Sequence, residues 1–165
     1  MSGGANVDDV LTLIRATPSR IAALTRGLVE ETLQMPPEAG EWSVNGILAH
    51  LRACADVWGD YIAAILAEDH PMLRGRDPRT WIKRTDYPAL PFRASLRAYR
   101  AQRAALIAIL EVLPPHEWAR AATIAGGGRQ VERTVLSYAE SLAHHEGVHL
   151  KQIERTARAV MTSRL

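Results

Sequence analysis

Residues 141–154 read SLAHHEGVHLKQIE and carry three of the chain's six histidines on a segment with helical periodicity. At about 100° per residue, His145, His149 and the apolar Leu142 lie within about 60° of one another on a single helix face. His144 falls about 260° from His145, on the polar side. The spacing therefore predicts that His145 and His149 point into the core and that His144 points to water.

Two imidazoles one helical turn apart can hold one metal ion, because each offers a neutral ring nitrogen and both side chains lean the same way. The alternative is a pair of core histidines satisfied by protein hydrogen bonds. A third candidate ligand is His50, in the first third of an earlier predicted helix, at the margin of its buried stripe. Metal sites in helix bundles are built from side chains on facing helices. His50, His145 and His149 can therefore close a three-histidine metal site with one position open for water or substrate.

The periodicity predicts an all-α fold, a four-helix bundle. The long helices are predicted over residues 7–27, from the N-cap Ser43 to about 68, over 92–112 and over 134–160. In the first, Thr17-Pro18 is interpreted as an N-cap and first helical residue, so that this helix is bent. Residues 70–91 contain four prolines and predict a long loop that covers something. The glycines at 126–128 predict a flexible loop, and no strand is predicted.

Length and composition favour one domain over residues 1–165, with 47% hydrophobic residues and a single Phe. The net charge of only +2 argues against nucleic acid or membrane partners. A lone cysteine, Cys54, and the lack of a signal peptide or membrane-length apolar run predict a cytoplasmic location. The long amphipathic helices also leave a homodimer as an expectation.

Three neighbours of the histidines have roles that the pattern alone leaves open. Glu146 can orient a ligand, act as a general base or pair with an arginine from a neighbouring helix. Cys54 can approach the metal or be an ordinary small buried residue. Gln152 is expected to pack or hydrogen bond near the site.

Other aromatic and basic side chains are expected to serve as scaffold. Core or pocket walls are predicted at Trp42, Trp58 and Tyr138. A solvated surface stripe, rather than an anion site, is predicted at Arg93, Arg97, Arg100 and Arg103.

The segment from His145 to His149 also matches the HExxH pattern of zinc peptidases, in which the glutamate is the general base. The extended form of that pattern needs Gly and His where this chain has Gln152 and Arg155. The acidic candidate Glu154 lies about 180° from His145 on the same helix and cannot converge with it. A peptidase is therefore the weaker interpretation.

The order and separation of these motifs resemble the DinB-like superfamily of damage-inducible, metal-binding proteins. The resemblance spans nearly the whole chain and rests on Thr17-Pro18, Glu41-Trp42-Ser43, His50-Leu51 and His145-x-x-x-His149-Leu150-x-Gln152-Ile153. It implies a four-helix bundle in which His50, His145 and His149 bind a divalent metal ion, most often zinc or nickel. It also implies a small-molecule substrate, because relatives include thiol S-transferases that use bacillithiol or mycothiol, a mycothiol-dependent isomerase and proteins named as metal-dependent hydrolases.

We therefore expect transfer of a low-molecular-weight thiol to a small electrophile. A metal-dependent hydrolase and a non-catalytic metal-binding stress protein are the alternatives. An open-site metal can lower the pKa of bound water to about 7 or deprotonate a thiol, and the ligands do not choose between the two.

Overall fold

The computed structural model describes residues 6–163. The elements follow in the order α1 (Val7–Leu24), α2 (Glu30–Gln34), α3 (Val44–Ala67), β1 (Met72–Arg74), α4 (Pro78–Trp81), α5 (Phe92–Leu110), β2 (Ala121–Gly126), β3 (Arg129–Thr134) and α6 (Val135–Thr162). Single 3₁₀ turns lie at Ile82–Arg84, Tyr87–Ala89 and Pro115–Ala119.

The long helices α1, α3, α5 and α6 form the predicted bundle. Helices α1 and α3 each pack against both α5 and α6, so the four enclose a shared interior. That interior holds two clusters of buried apolar side chains, one including Ile14, Ile65 and Leu142 and the other Leu51, Tyr99 and Ile153. Burying one large apolar side chain contributes about 1.5–3 kcal/mol. Packing of this kind fixes α3 against α6, the two helices that carry the histidines.

Side-chain caps fix the starts of those two helices. The Ser43 hydroxyl accepts a hydrogen bond from the Gly46 amide at 3.0 Å, as its N-cap position predicts. At α6, the Thr134 hydroxyl accepts from the Ser137 amide at 3.0 Å, and the Ser137 hydroxyl accepts from the Thr134 amide at 2.9 Å. This reciprocal capping box sets the register in which His145 and His149 face α3.

Helix α1 is continuous through Pro18, so the prediction of Thr17 as an N-cap is wrong. The Thr17 hydroxyl instead donates to the Leu13 carbonyl at 3.2 Å, within the helix. Proline removes one backbone donor but keeps a helical φ. Burial of Thr17, Pro18 and Ile21 against the core holds the helix together across that gap.

A three-stranded sheet corrects the prediction of an all-α fold. Strand β1 pairs in parallel with β2, and β2 pairs with β3 as an antiparallel hairpin in which Ile124 lies opposite Val131. The predicted flexible glycine loop is the tight turn of this hairpin. Gly127 and Gly128 have φ values of 59° and 76°, which two-residue hairpin turns require and which glycine adopts without strain.

The segment between α3 and α5 is less irregular than predicted, and it does cover α3. The Tyr61 hydroxyl on α3 donates to the Arg74 carbonyl at 3.0 Å. The Asp56 carboxylate, also on α3, accepts from the Tyr87 hydroxyl at 2.7 Å and from the Trp81 indole at 3.1 Å. These bonds hold the segment against the bundle beside the histidines.

Within residues 6–163, no helix has both the length and the apolar character needed to cross a lipid bilayer.

Candidate metal centre

Three histidine rings from two helices meet at one point. The Nε2 atom of His145 lies 3.0 Å from His50 Nε2 and 3.1 Å from His149 Nε2. One nitrogen from each of the three rings lies within 4.8 Å of the others. On a tetrahedral ion with metal–nitrogen bonds of about 2.0–2.1 Å, ligand nitrogens lie about 3.3–3.4 Å apart. The spacing therefore fits a single divalent ion after small adjustments of the rings.

The helices place these rings as their periodicity predicts. His145 and His149 are one turn apart on α6, and His50 faces them from α3. His50 is buried, His145 and His149 are partly buried, and His144 is exposed. The predicted set is thus brought together, and the predicted outward position of His144 is confirmed.

Gln152 orients one of the three rings. His149 Nδ1 lies 2.7 Å from Gln152 Oε1, and a carbonyl oxygen can only accept, so Nδ1 carries the proton. The lone pair of His149 is then on Nε2, which faces the other two rings. The predicted hydrogen-bonding role of Gln152 is confirmed.

Burial keeps the three rings neutral. It is the main cause that lowers the pKa of His50 and of His145 to about 4, with the nearby His149 adding to the effect. Burial also lowers the pKa of His149, against a smaller opposing effect of its bond to Gln152. Neutral imidazole is the form that binds metal ions, so the rings are ready to act as ligands near pH 7.

Cys54 lies against the cluster, one turn after His50 on α3. Its sulfur is 3.6 Å from His50 Nε2 and 3.8 Å from His145 Nε2. Only 2% of the residue is exposed. Burial raises the pKa of its thiol to about 12, so it is protonated in the structure as it stands. Both interpretations of Cys54 thus hold, because it is a small buried side chain and it borders the cluster.

Two tryptophans frame the cluster, as predicted for pocket walls. The Trp42 ring centroid lies 5.0 Å from that of His50, and the ring is nearly parallel to His149 at 6.4 Å. The Trp58 ring meets His145 edge-on at 5.1 Å. These rings shield the histidines from part of the solvent.

Cavities open on two sides of the cluster. The His145-side cavity has a volume of about 730 Å³, and its lining includes Trp58, Tyr138 and His145. The His149-side cavity has a volume of about 580 Å³, and its lining includes Trp42 and His149. Both volumes lie in the range of small-molecule sites. The segment after α3 and the β2–β3 hairpin form part of the first cavity wall.

The sequence profile of the DinB superfamily matches residues 13–153 of the chain. The chain belongs to the DinB superfamily. The match begins within α1, ends within α6 and includes all three histidines of the cluster.

Individual proteins related to this DinB-superfamily chain carry names that refer to metal-dependent hydrolysis. A "Putative metal-dependent hydrolase" of Geobacillus thermodenitrificans is 26% identical over 121 residues, which cover 70% of this chain and 65% of that protein. A protein of the same name from Geobacillus kaustophilus is 26% identical over 147 residues, covering 84% of this chain and 79% of the relative. The chain thus spans just under two thirds of the first relative.

A solved structure has the same fold as this DinB-superfamily chain. YfiT from Bacillus subtilis, described as "a probable metal-dependent hydrolase with an unusual four-helix bundle topology", superposes with a TM-score of 0.74. The superposition covers 96% of this chain and 89% of YfiT at 17% sequence identity. At that identity the likeness establishes the bundle and nothing further.

Glu146 has the third of its three predicted roles in this DinB-superfamily fold. Its Oε1 atom accepts a hydrogen bond from the Tyr99 hydroxyl at 2.7 Å and pairs with the Arg103 guanidinium, both on α5. Burial raises the pKa of Glu146, and Arg103 opposes that rise. The carboxylate is committed to the core, which argues against the general-base role that a zinc peptidase requires.

The arginine stripe on α5 is only partly solvated, which corrects its prediction as a surface. Arg103 is 3% exposed and holds Glu146. Arg93 donates to the Thr25 carbonyl at 2.8 Å and so ties α5 to the end of α1. Arg97 and Arg100 are exposed as predicted. Sequence reasoning missed Arg103, although the placement of Glu146 on the flank of a buried helix face was a signal that a cation should face it.

Proposed function

We propose that this chain is a metal-dependent transferase that joins a low-molecular-weight thiol to a small electrophile. The observation that carries the proposal is the pair of cavities, which reach the three-histidine cluster from the His145 side and the His149 side. A transfer between two organic molecules needs two binding spaces that share one reactive point, whereas hydrolysis needs a space for one. A cytoplasmic location, where small thiols stay reduced, is part of the proposal.

The donor set of the cluster fits a divalent ion, for which we propose zinc or nickel. Three neutral imidazoles, one of them oriented by Gln152, match the ligands of catalytic sites that keep a position open. An ion held there supplies Lewis acidity that lowers the pKa of a thiol or a water molecule. His50, His145 and His149 would hold that ion, and the rings of Trp42 and Trp58 would border it.

The proposed reaction is a substitution at carbon. The thiol sulfur forms a bond to the electrophilic carbon while the bond from that carbon to its leaving group breaks. The thiol proton and the leaving group depart together as an acid, so the overall change is thiol plus electrophile to thioether plus acid. No oxidant or reductant is needed.

Hydrolysis is the second candidate, and the names of the Geobacillus relatives favour it. In that case water would replace the thiol, and one of the two cavities would remain unused by substrate. The two candidates differ in whether a thiol is consumed.

The test measures both reactions with the same metal-loaded protein. Cysteine, bacillithiol and mycothiol are each incubated with chlorodinitrobenzene, and thioether formation is followed by absorbance; nitrophenyl acetate serves as the hydrolytic substrate. We expect metal-dependent thioether formation that is lost in His145→Gln and retained in His116→Gln, an exposed histidine on a 3₁₀ turn. Metal-dependent ester hydrolysis with no consumption of any of these thiols would overturn the transferase proposal in favour of the hydrolase.

A further inference from the structure

We propose that the His145-side cavity binds an anionic group of the substrate through Arg129 and Arg133 of β3. The chemical class is a small molecule with a carboxylate or phosphate and an aromatic or apolar body. This inference rests on the proposed function only in taking the ligand to be a substrate, because the anion site itself is argued from the cavity.

Strand alternation points these arginines into the cavity. Successive side chains of a strand face opposite sides, and Arg129, Val131 and Arg133 all line the His145-side cavity. The intervening Glu132 faces away, with its carboxylate 3.8 Å from His70. The hairpin therefore presents two cations and no carboxylate of its own to the cavity.

Arg133 is held in place by the protein but keeps hydrogen-bond donors without a partner. Its Nη2 donates to the Ser141 hydroxyl at 2.6 Å, and its guanidinium carbon lies 4.6 Å from the Tyr138 ring centroid. Its buried Nε has no hydrogen-bond partner among residues 6–163. The protein bonds of the guanidinium are made by Nη2, to the Ser137 carbonyl and the Ser141 hydroxyl, and Nη1 is neither bonded nor among the buried unpartnered atoms of residues 6–163. Nη1 is therefore the donor left for an anion in the cavity.

The position of Arg133 relates the anion site to the metal centre. Ser141, which Arg133 contacts, precedes His145 by one turn of α6. Four residues of helix correspond to about 6 Å along its axis. A ligand whose anionic group meets Arg133 can thus extend along the cavity toward the histidines over the length of a small organic molecule.

The charge of the cavity supports an anion. Arg76 also lines it, but its guanidinium pairs with Asp60 at 2.8 Å. Among the lining residues within 6–163, the one carboxylate is Asp77, which accepts the Arg79 amide at 2.9 Å as the N-cap of α4. Among the described residues, neither Arg129 nor Arg133 has an ion-pair partner within 4.0 Å. The cavity therefore keeps an excess positive charge.

The other lining residues of the His145-side cavity determine which uncharged part of a ligand it can bind. Trp58 and Tyr138 provide aromatic faces, and Ile124 and Val131 add apolar surface from the hairpin. Such walls bind an apolar or aromatic body, while the arginines fix its charged end.

The experiment uses the full-length chain after chelation, so that a metal ion cannot bind the probe. Isothermal titration calorimetry measures the affinity of phenyl phosphate and of its neutral counterpart benzyl alcohol. We expect wild type to bind phenyl phosphate more tightly than benzyl alcohol. The Arg129→Gln/Arg133→Gln variant is expected to have an affinity for phenyl phosphate at least about tenfold lower than that of wild type. Arg97→Gln on α5, an exposed arginine outside the cavity lining, removes the same type of charge and is expected to leave the affinity unchanged.

Equal affinity of wild type for the two probes, or unchanged phenyl phosphate affinity in the double variant, would overturn the proposal. If the double variant does not fold, Arg129→Gln alone can be measured, because the Arg129 side chain is exposed. This single variant is expected to bind phenyl phosphate about threefold more weakly than wild type. Unchanged affinity in that variant would equally count against the site. Failure of thiol transfer leaves these binding results standing, so the two proposals fail separately.

Discussion

Replacing Glu146 with Gln is expected to destabilise the fold while leaving the three-histidine cluster able to bind a divalent ion. The Glu146 and Arg103 side chains are only 2% and 3% exposed, so the variant leaves a guanidinium buried without its carboxylate. Removing one partner of a buried ion pair costs about 3–5 kcal/mol. In a chain of 165 residues, that cost corresponds to a fall in Tm of about 6–20 °C.

The reciprocal variant Arg103→Gln is expected to cost less. Burial already raises the pKa of Glu146, and a carboxyl left alone can take up a proton, whereas a guanidinium stays charged. The double variant Arg103→Gln/Glu146→Gln removes both charges and is expected to be more stable than Glu146→Gln alone. The difference from additivity measures the coupling between the two side chains.

Calorimetric or circular dichroism melts of the four proteins, with metal content measured in parallel, give the required free energies. A Glu146→Gln variant with the same Tm as wild type but without thioether-forming activity would refute the reasoning. That outcome would mean that Glu146 acts on the substrate, as it does in zinc peptidases, and that its bonds to Tyr99 and Arg103 are incidental.

Four further predictions follow from the site and the hairpin. His50→Gln is expected to lose stoichiometric metal by elemental analysis, whereas the exposed His144→Gln keeps it. Gln152→Ala frees His149 Nδ1 and is expected to weaken metal affinity about 10–100-fold in a chelator competition. In the presence of chelator, the free energy of unfolding should fall as the pH drops from 6.5 toward about 4. Burial lowers the pKa of His50 and of His145 in the folded state, so these histidines bind protons in the unfolded chain first. Urea titrations at several pH values check this, and a flat profile would contradict it. Gly128→Ala forces a side chain onto a φ of 76° and is expected to cost about 1 kcal/mol in the same assay.

The helical part of the fold and the histidine cluster could be predicted because they depend on a local period. The spacing from His145 to His149 fixes a shared helix face, and the N-cap Ser43 fixes the start of the helix that carries His50. Facing helices in a bundle then bring the two sets together. The resemblance to the DinB family supplied the pairing between helices that periodicity alone leaves open.

The sheet could not be predicted from the same kind of pattern. The residues of β3 are exposed or only partly buried, and all but Val131 are polar, so the strand lacks the alternating apolar face of a buried strand. Its pairing with β2 is specified by the positive φ values of Gly127 and Gly128, and three glycines in a row also suit a loop.

The roles of the buried charges depended on tertiary contacts. Arg103 lies in a stripe of four arginines. It is buried whereas Arg97 and Arg100 are exposed, because Glu146 faces it across the helix interface. The continuity of α1 through Pro18 likewise depends on packing, which compensates for one missing backbone bond.

The histidines project from two packed helices, whereas much of the His145-side cavity comes from the connection after α3 and from the hairpin. Relatives could therefore exchange these connecting segments and change the cavity while keeping the same histidine cluster. A designer could graft a different hairpin between α5 and α6 and alter selectivity without rebuilding the bundle.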